Sequence, residues 1–114
     1  MLIKGAILEE MGRSFPYSKS LPISISKVEL SAHLEHEVLV RIESAGICHS
    51  DLAVVQGVRP RPTPMLLGHE AAGIVEAFGS EVSGLNCGDR VVMTFAPRCG
   101  SCAGCSSNGA MSCI

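Results

Sequence analysis

Four of the chain's six cysteines, Cys99, Cys102, Cys105 and Cys113, fall within the stretch CGSCAGCSSNGAMSC. From Pro97 onward there is neither helical nor strand periodicity, so this segment has no apolar face on which to fold. A Cys-x2-Cys spacing lets two thiolates reach one ion at about 2.3 Å, and four thiolates complete a tetrahedron with no open position. Gly100, Gly104 and Gly109 allow the backbone to curl around such an ion. The spacing points to a structural zinc lobe over 97–114, in which metal binding supplies the folding energy, about 10–16 kcal/mol in zinc-finger peptides. Four thiolates leave a net negative charge, which Arg98 offsets in part. An iron–sulfur cluster also takes four cysteines. Two disulfides are the plainer alternative, although neighbours this close bridge poorly.

The rest of the chain sets bounds on what surrounds that lobe. Its 114 residues suffice for one domain with a modest core. The formal net charge is −2, and the aromatics are few and without Trp. Neither basic patches nor stacking platforms for nucleic acid are expected. No apolar run of about 18 residues is present to span a membrane. The N-terminus carries Lys4, Glu9 and Glu10 and lacks the apolar core of a secretory signal. A cytoplasmic location follows as the expectation, and there cysteines serve metals more often than disulfides.

The pattern along the chain predicts short strands. LIKGAIL (2–8), ISKVEL (25–30) and EVLVRIESAG (37–46) read as strands. In the third, Val38, Val40 and Ile42 share one face and Leu39, Arg41 and Glu43 the other. HSDLAVVQG (49–57) reads as a short helix with Ser50 as N-cap and Gly57 at C′. RPRPTPML (59–66) is an extended loop because of its prolines. HEAAGIVEAFG (69–79) is a strand in which Gly73 marks a bulge or a close backbone approach. SEVSGLNCG is turn-rich, and DRVVMTF (89–95) resembles a buried strand. Mainly β architecture, a barrel or sandwich, is predicted. The absence of any G-x-G-x-x-G after a strand excludes a dinucleotide-binding fold within these residues.

Cys48 and His69 are each unremarkable alone. A lone cysteine is usually a packed residue, a lone histidine a hydrogen-bonded one, and Asp51 and Glu70 ordinary surface carboxylates. Together, A-G-I-C-H-S-D at 45–51 and G-H-E-x2-G-x5-G-x2-V from Gly68 to Val82, followed by the four-cysteine loop, resemble the zinc-containing medium-chain alcohol dehydrogenases. The resemblance covers the whole chain and matches the first part, residues 1–114, of that family's catalytic domain, a GroES-like, partly open β-barrel.

The resemblance implies roles for particular residues. Cys48 and His69 are similar to two ligands of a catalytic zinc, and Glu70 to a carboxylate that approaches the metal when ligands exchange. Asp51 is similar to the partner that accepts the other N–H of His69. Ser50 is similar to the hydroxyl that takes the alcohol's proton, and His49 to a contact with the coenzyme pyrophosphate. The four-cysteine loop is similar to the structural zinc lobe. The implied reaction is reversible oxidation of alcohols to aldehydes or ketones by hydride transfer to NAD(P), with zinc polarising the alcohol oxygen.

The chain departs from the family pattern in places. Ala53 stands where some members carry a relay histidine. A third catalytic ligand and the coenzyme-binding Rossmann domain are expected past residue 114, so the chain reads as a fragment without dehydrogenase activity of its own. The full-length parent is expected to act on a small-molecule alcohol or aldehyde and to form a homo-oligomer. A non-catalytic zinc-binding GroES-like module is the alternative, and an iron–sulfur electron carrier a third reading. Cys87 is predicted to be a small packed residue, His33 and His36 to be solvated, and Asp89 to be a turn residue. Met65, Leu66 and Leu67 are read as lining a cleft or packing in a core.

Overall fold

The computed structural model describes residues 1–108 and 110–113. Gly109, predicted to help curl the cysteine loop, lies outside them. Strand β1 (Leu2–Leu8) is followed by the short helix α1 (Tyr17–Ser20) and strand β2 (Ile23–Glu29). Strand β3 (Val38–Ala45), helix α2 (His49–Val55) and the two-residue strand β4 (Met65–Leu66) come next. Strands β5 (Ala71–Phe78) and β6 (Arg90–Met93) precede a last helical turn, α3 (Ala103–Ser106). The mainly β architecture matches the sequence reading. The short turns α1 and α3 were not predicted, because four residues are too few to show a helical period.

The strands form two open three-stranded sheets, β2-β1-β4 and β3-β5-β6, with no ladder between them among the described residues. The predicted barrel is thus met only in part. All partners are antiparallel: Leu2 faces Glu29, Ile7 faces Leu66, Ala45 faces Ala71, and Ala71 faces Met93. The proline loop therefore ends in a strand at Met65, where an extended segment through 66 was expected to stay unpaired. Met65 and Leu67 pack on a small core of Leu8, Val54 and Val55, which joins the first sheet to α2.

Two strand expectations need correction. Register shifts lie between Leu39 and Val40 and between Ile42 and Ser44, so the simple alternation of β3 breaks and Ile42 is exposed. Gly73 pairs with Ile42 beside the second of these shifts. A Cβ there would collide with the Arg41 carbonyl, so the bulge and the close approach read from the sequence occur together. Strand β6 is an edge strand with Val92 77% exposed, not a buried one. Cys87 is likewise exposed, its thiol donating to the Glu76 carbonyl at 3.3 Å. Asp89 does act as a turn residue, accepting from the Asn86 N–H at 2.7 Å. His33 and His36 are exposed.

Candidate metal centre

Pairing of β3 with β5 builds the first cluster. In an antiparallel pair the end of one strand lies beside the start of the other. The Gly46 N–H continues the ladder by donating to the Glu70 carbonyl at 3.0 Å. This brings Cys48, which follows β3, against His69 and Glu70, which precede β5. One donor atom from each lies within 4.8 Å of the others. Phe95, just beyond β6, meets the His69 ring edge-on at 6.1 Å between centroids.

Helix α2 orients the donors. Its N-cap is Cys48, not Ser50, which lies inside the first turn. The Cys48 N–H donates to Asp51 Oδ2 at 3.2 Å, and the Asp51 N–H to the Cys48 carbonyl at 3.0 Å. The other oxygen of Asp51 is 3.3 Å from His69 Nδ1. One carboxylate thus closes the helix start and holds the imidazole. With the Nδ1 proton directed to Asp51, Nε2 keeps its lone pair and faces Ser50 Oγ at 3.4 Å.

The local charges follow from these contacts. The Ser50 hydroxyl, the Ser50 backbone N–H and the His69 ring together lower the Cys48 thiol below its ordinary value. The Cys48 sulfur, helped by the Asp51 carboxylate, raises His69 against the opposing effect of burial. A thiol that its neighbours make easier to deprotonate, a nitrogen oriented by Asp51 and a nearby carboxylate form a donor set suited to a divalent ion such as zinc.

Cys48, Ser50, Asp51 and His69 line a cavity of 420 Å³. Val54, Met65 and Phe95 supply its apolar wall, and Arg59 and Arg61 contribute charge. The arginines were read only as part of a proline loop. The signal was present in R-P-R, since alternate residues of an extended segment can serve one surface. Phe95 carried no sequence signal. His49 is exposed at the first position of α2.

The second cluster is made by the cysteine loop. Cys99 and Cys105 sulfurs are 3.9 Å apart, and those of Cys102 and Cys113 are 3.8 Å apart. All four lie within 4.8 Å of one another. A tetrahedron with zinc–sulfur bonds of about 2.3 Å has sulfurs about 3.8 Å apart, so the four fit one ion. These separations exclude disulfides, whose sulfurs are about 2.05 Å apart. A four-iron cluster binds each cysteine at a different iron and spreads the sulfurs further.

Backbone groups support the loop. Arg98 donates to the Gly104 and Met111 carbonyls, both at 3.1 Å, a structural clamp beyond the charge balance first read for it. Gly100 takes φ +82°, and Gly104 is pressed against the Ser112 carbonyl where a Cβ would not fit. The N–H and hydroxyl of Ser101, with the Cys102 N–H, hold Cys99 down to about 5. For Cys113 the Cys99 backbone favours the thiolate, but the Cys99 thiol, burial and the thiols of Cys102 and Cys105 push it up to about 11.

The sequence profile of the alcohol dehydrogenase GroES-like domain matches residues 34–113, which contain both clusters. The chain belongs to the zinc-containing medium-chain alcohol dehydrogenases. Solved structures of similar fold agree with that membership. An alcohol dehydrogenase zinc-binding domain protein from Burkholderia ambifaria is 39% identical, with a TM-score of 0.80 over 94% of this chain and 26% of that one. Benzyl alcohol dehydrogenase from Acinetobacter calcoaceticus is 33% identical, with a TM-score of 0.79 over 94% of this chain and 27% of that one. The Escherichia coli quinone oxidoreductase solved with NADPH is 30% identical, with a TM-score of 0.68 over 79% of this chain and 26% of that one. The chain therefore spans about a quarter of the length of these relatives. Among its described residues no helix is long and apolar enough to cross a membrane.

Proposed function

We propose that this chain is the metal-holding part of a zinc-dependent alcohol dehydrogenase that oxidises small alcohols reversibly with NAD(P). The observation that carries the reading is the Cys48, His69 and Glu70 donor set within 4.8 Å, with His69 oriented by Asp51. The relatives named for alcohol oxidation and the one solved with NADPH support it.

Cys48, His69 and Glu70 would hold the catalytic metal, and Cys99, Cys102, Cys105 and Cys113 a structural one. When bound at the first site, zinc supplies Lewis acidity toward a substrate oxygen, and the nicotinamide supplies the hydride acceptor. Asp51 keeps the Nδ1 proton of His69 in place, so that the Nε2 lone pair would be free for a metal. Ser50 takes the proton that the alcohol loses. Ala53 cannot pass it onward, so proton exit runs through water, the coenzyme ribose or another side chain. His49 contacts the coenzyme pyrophosphate. Val54, Met65 and Phe95 offer apolar surface to the substrate's carbon chain.

The whole enzyme works as a homo-oligomer in the cytoplasm. Zinc per chain, measured by elemental analysis, tests the reading. Two ions are expected, falling to one in Cys48→Ala and to one in Cys102→Ser. A wild-type value that Cys48→Ala leaves unchanged would remove the first site.

A further inference from the structure

Most arginines of this chain have partners. Arg13 pairs with Glu10, Arg41 with Glu43 and Glu76, and Arg90 with Glu43. Arg98 is engaged by two carbonyls. Arg59 and Arg61 differ: among the described residues neither has a carboxylate partner, and Arg61 reaches only the neighbouring Pro60 carbonyl at 3.4 Å. Both line the cavity that contains Cys48, Ser50 and His69.

Their placement is built, not incidental to a loose loop. The Arg59 N–H donates to the Ala53 carbonyl at 3.1 Å, which ties it to α2. The Arg61 N–H rests on Met11 Sδ at 3.4 Å. Pro60 and Pro62 alternate with them and restrict φ, which narrows the conformations open to the segment. Two guanidinium groups on so short a segment repel one another. An anion accepted between them removes that cost and satisfies planar donors that suit a carboxylate in bidentate fashion. The same cavity is lined by Val54, Met65 and Phe95, an apolar surface for a short carbon chain.

We propose that Arg59 and Arg61 are specificity-determining residues that bind the carboxylate of an anionic substrate, a hydroxy acid or the matching oxo acid. The alcohol carbon and the carboxylate are separated by a few methylene groups. This inference rests on the reading of Cys48, His69 and Glu70 as the catalytic metal site.

The test is an NMR titration of the zinc-loaded full chain with 4-hydroxybutyrate, butan-1-ol and inorganic pyrophosphate at low salt. It is repeated on Arg59→Gln/Arg61→Gln, whose fold the ¹H–¹⁵N spectrum checks. 4-Hydroxybutyrate should bind at least about tenfold more tightly than butan-1-ol, the smallest effect of one charge-assisted hydrogen bond. The double variant should bring the two within about twofold, and added salt should do so in part. Equal binding of both alcohols to the wild type, or a preference that survives the double substitution, overturns the inference. Pyrophosphate binding lost in the variant, with no preference between the alcohols, assigns the arginines to the coenzyme and overturns it as well. Zinc analysis of the same samples separates the two levels. Equal binding with zinc present at Cys48 leaves the metal site standing, whereas absence of that zinc removes both.

Discussion

The two metal-ligand clusters are made in opposite ways. The 99–113 loop gathers its four sulfurs from one short segment, with Gly104 as its buried position and few apolar contacts. The Cys48–His69–Glu70 cluster joins residues about twenty apart, and the β3–β5 ladder, the cap of α2 and the core of Leu8, Val54 and Val55 place it. Hydrogen bonds from Asp51 and Ser50 orient it without help from an ion. If both clusters take zinc as proposed, the loop should depend on its ion for its fold, whereas the strands around Cys48 and His69 should remain when the ion leaves.

That contrast is most exposed to zinc removal, which carries the largest expected effect. Chelation, or Cys102→Ser, should abolish hydrogen-exchange protection over 98–113, because about 10–16 kcal/mol of apparent binding energy is lost from a segment with almost no core. Protection over β1 to β6 should change little. A lobe that stays protected without metal would break the distinction between the two clusters.

The converse experiment attacks the scaffold. Gly73→Val forces a side chain into the Arg41 carbonyl. It should cost about 3 kcal/mol in urea denaturation and weaken metal binding at Cys48 while leaving the cysteine lobe loaded. Equal loss at both sites would show that the two regions are coupled.

Smaller changes sharpen the role of the orienting groups. Asp51→Asn keeps the size but removes the charge that holds His69. Zinc affinity at the first site should fall about 10–100-fold, with about 1 kcal/mol of stability lost at the α2 cap. Titration with a competing chelator reads the first effect and thermal melting the second. Gly46→Ala has the least effect. Its Cβ would stand 2.5 Å from Glu70 Oε1 and 2.9 Å from Cγ, so the carboxylate must turn out of the cluster. Affinity should drop by less than about tenfold if Glu70 is an auxiliary ligand to Cys48 and His69. A larger drop would make Glu70 a principal one.

Legibility in the sequence differed between the regions for the same reason. In the cysteine loop the spacing itself is the geometry, so ligands and coordination number could be read directly. For Cys48 and His69 the residues were found through motif order, while their separation depended on a ladder that pattern alone does not place. Ser50 looked like the N-cap because serine usually is one. Cys48 took the position because Asp51 pairs with its N–H. Cys87 was read as packed since small cysteines usually are, yet its turn leaves it on the surface. Ile42 was placed on one face with Val38 and Val40 by alternation, which register shifts broke, and Val92 was read within a buried strand that proved to be at a sheet edge.

By itself, then, the order of residues determined the strand-rich class and the four-sulfur cluster, because these rest on local spacing and side-chain chemistry, while Cys48, His69 and Glu70 were singled out only through the family resemblance of their motifs. The tertiary structure alone decided that those donors converge, that Asp51 serves helix and histidine at once, and that Arg59 and Arg61 face the same cavity. Such meetings depend on which strand pairs with which and in what register, a choice made by the packing of the whole chain.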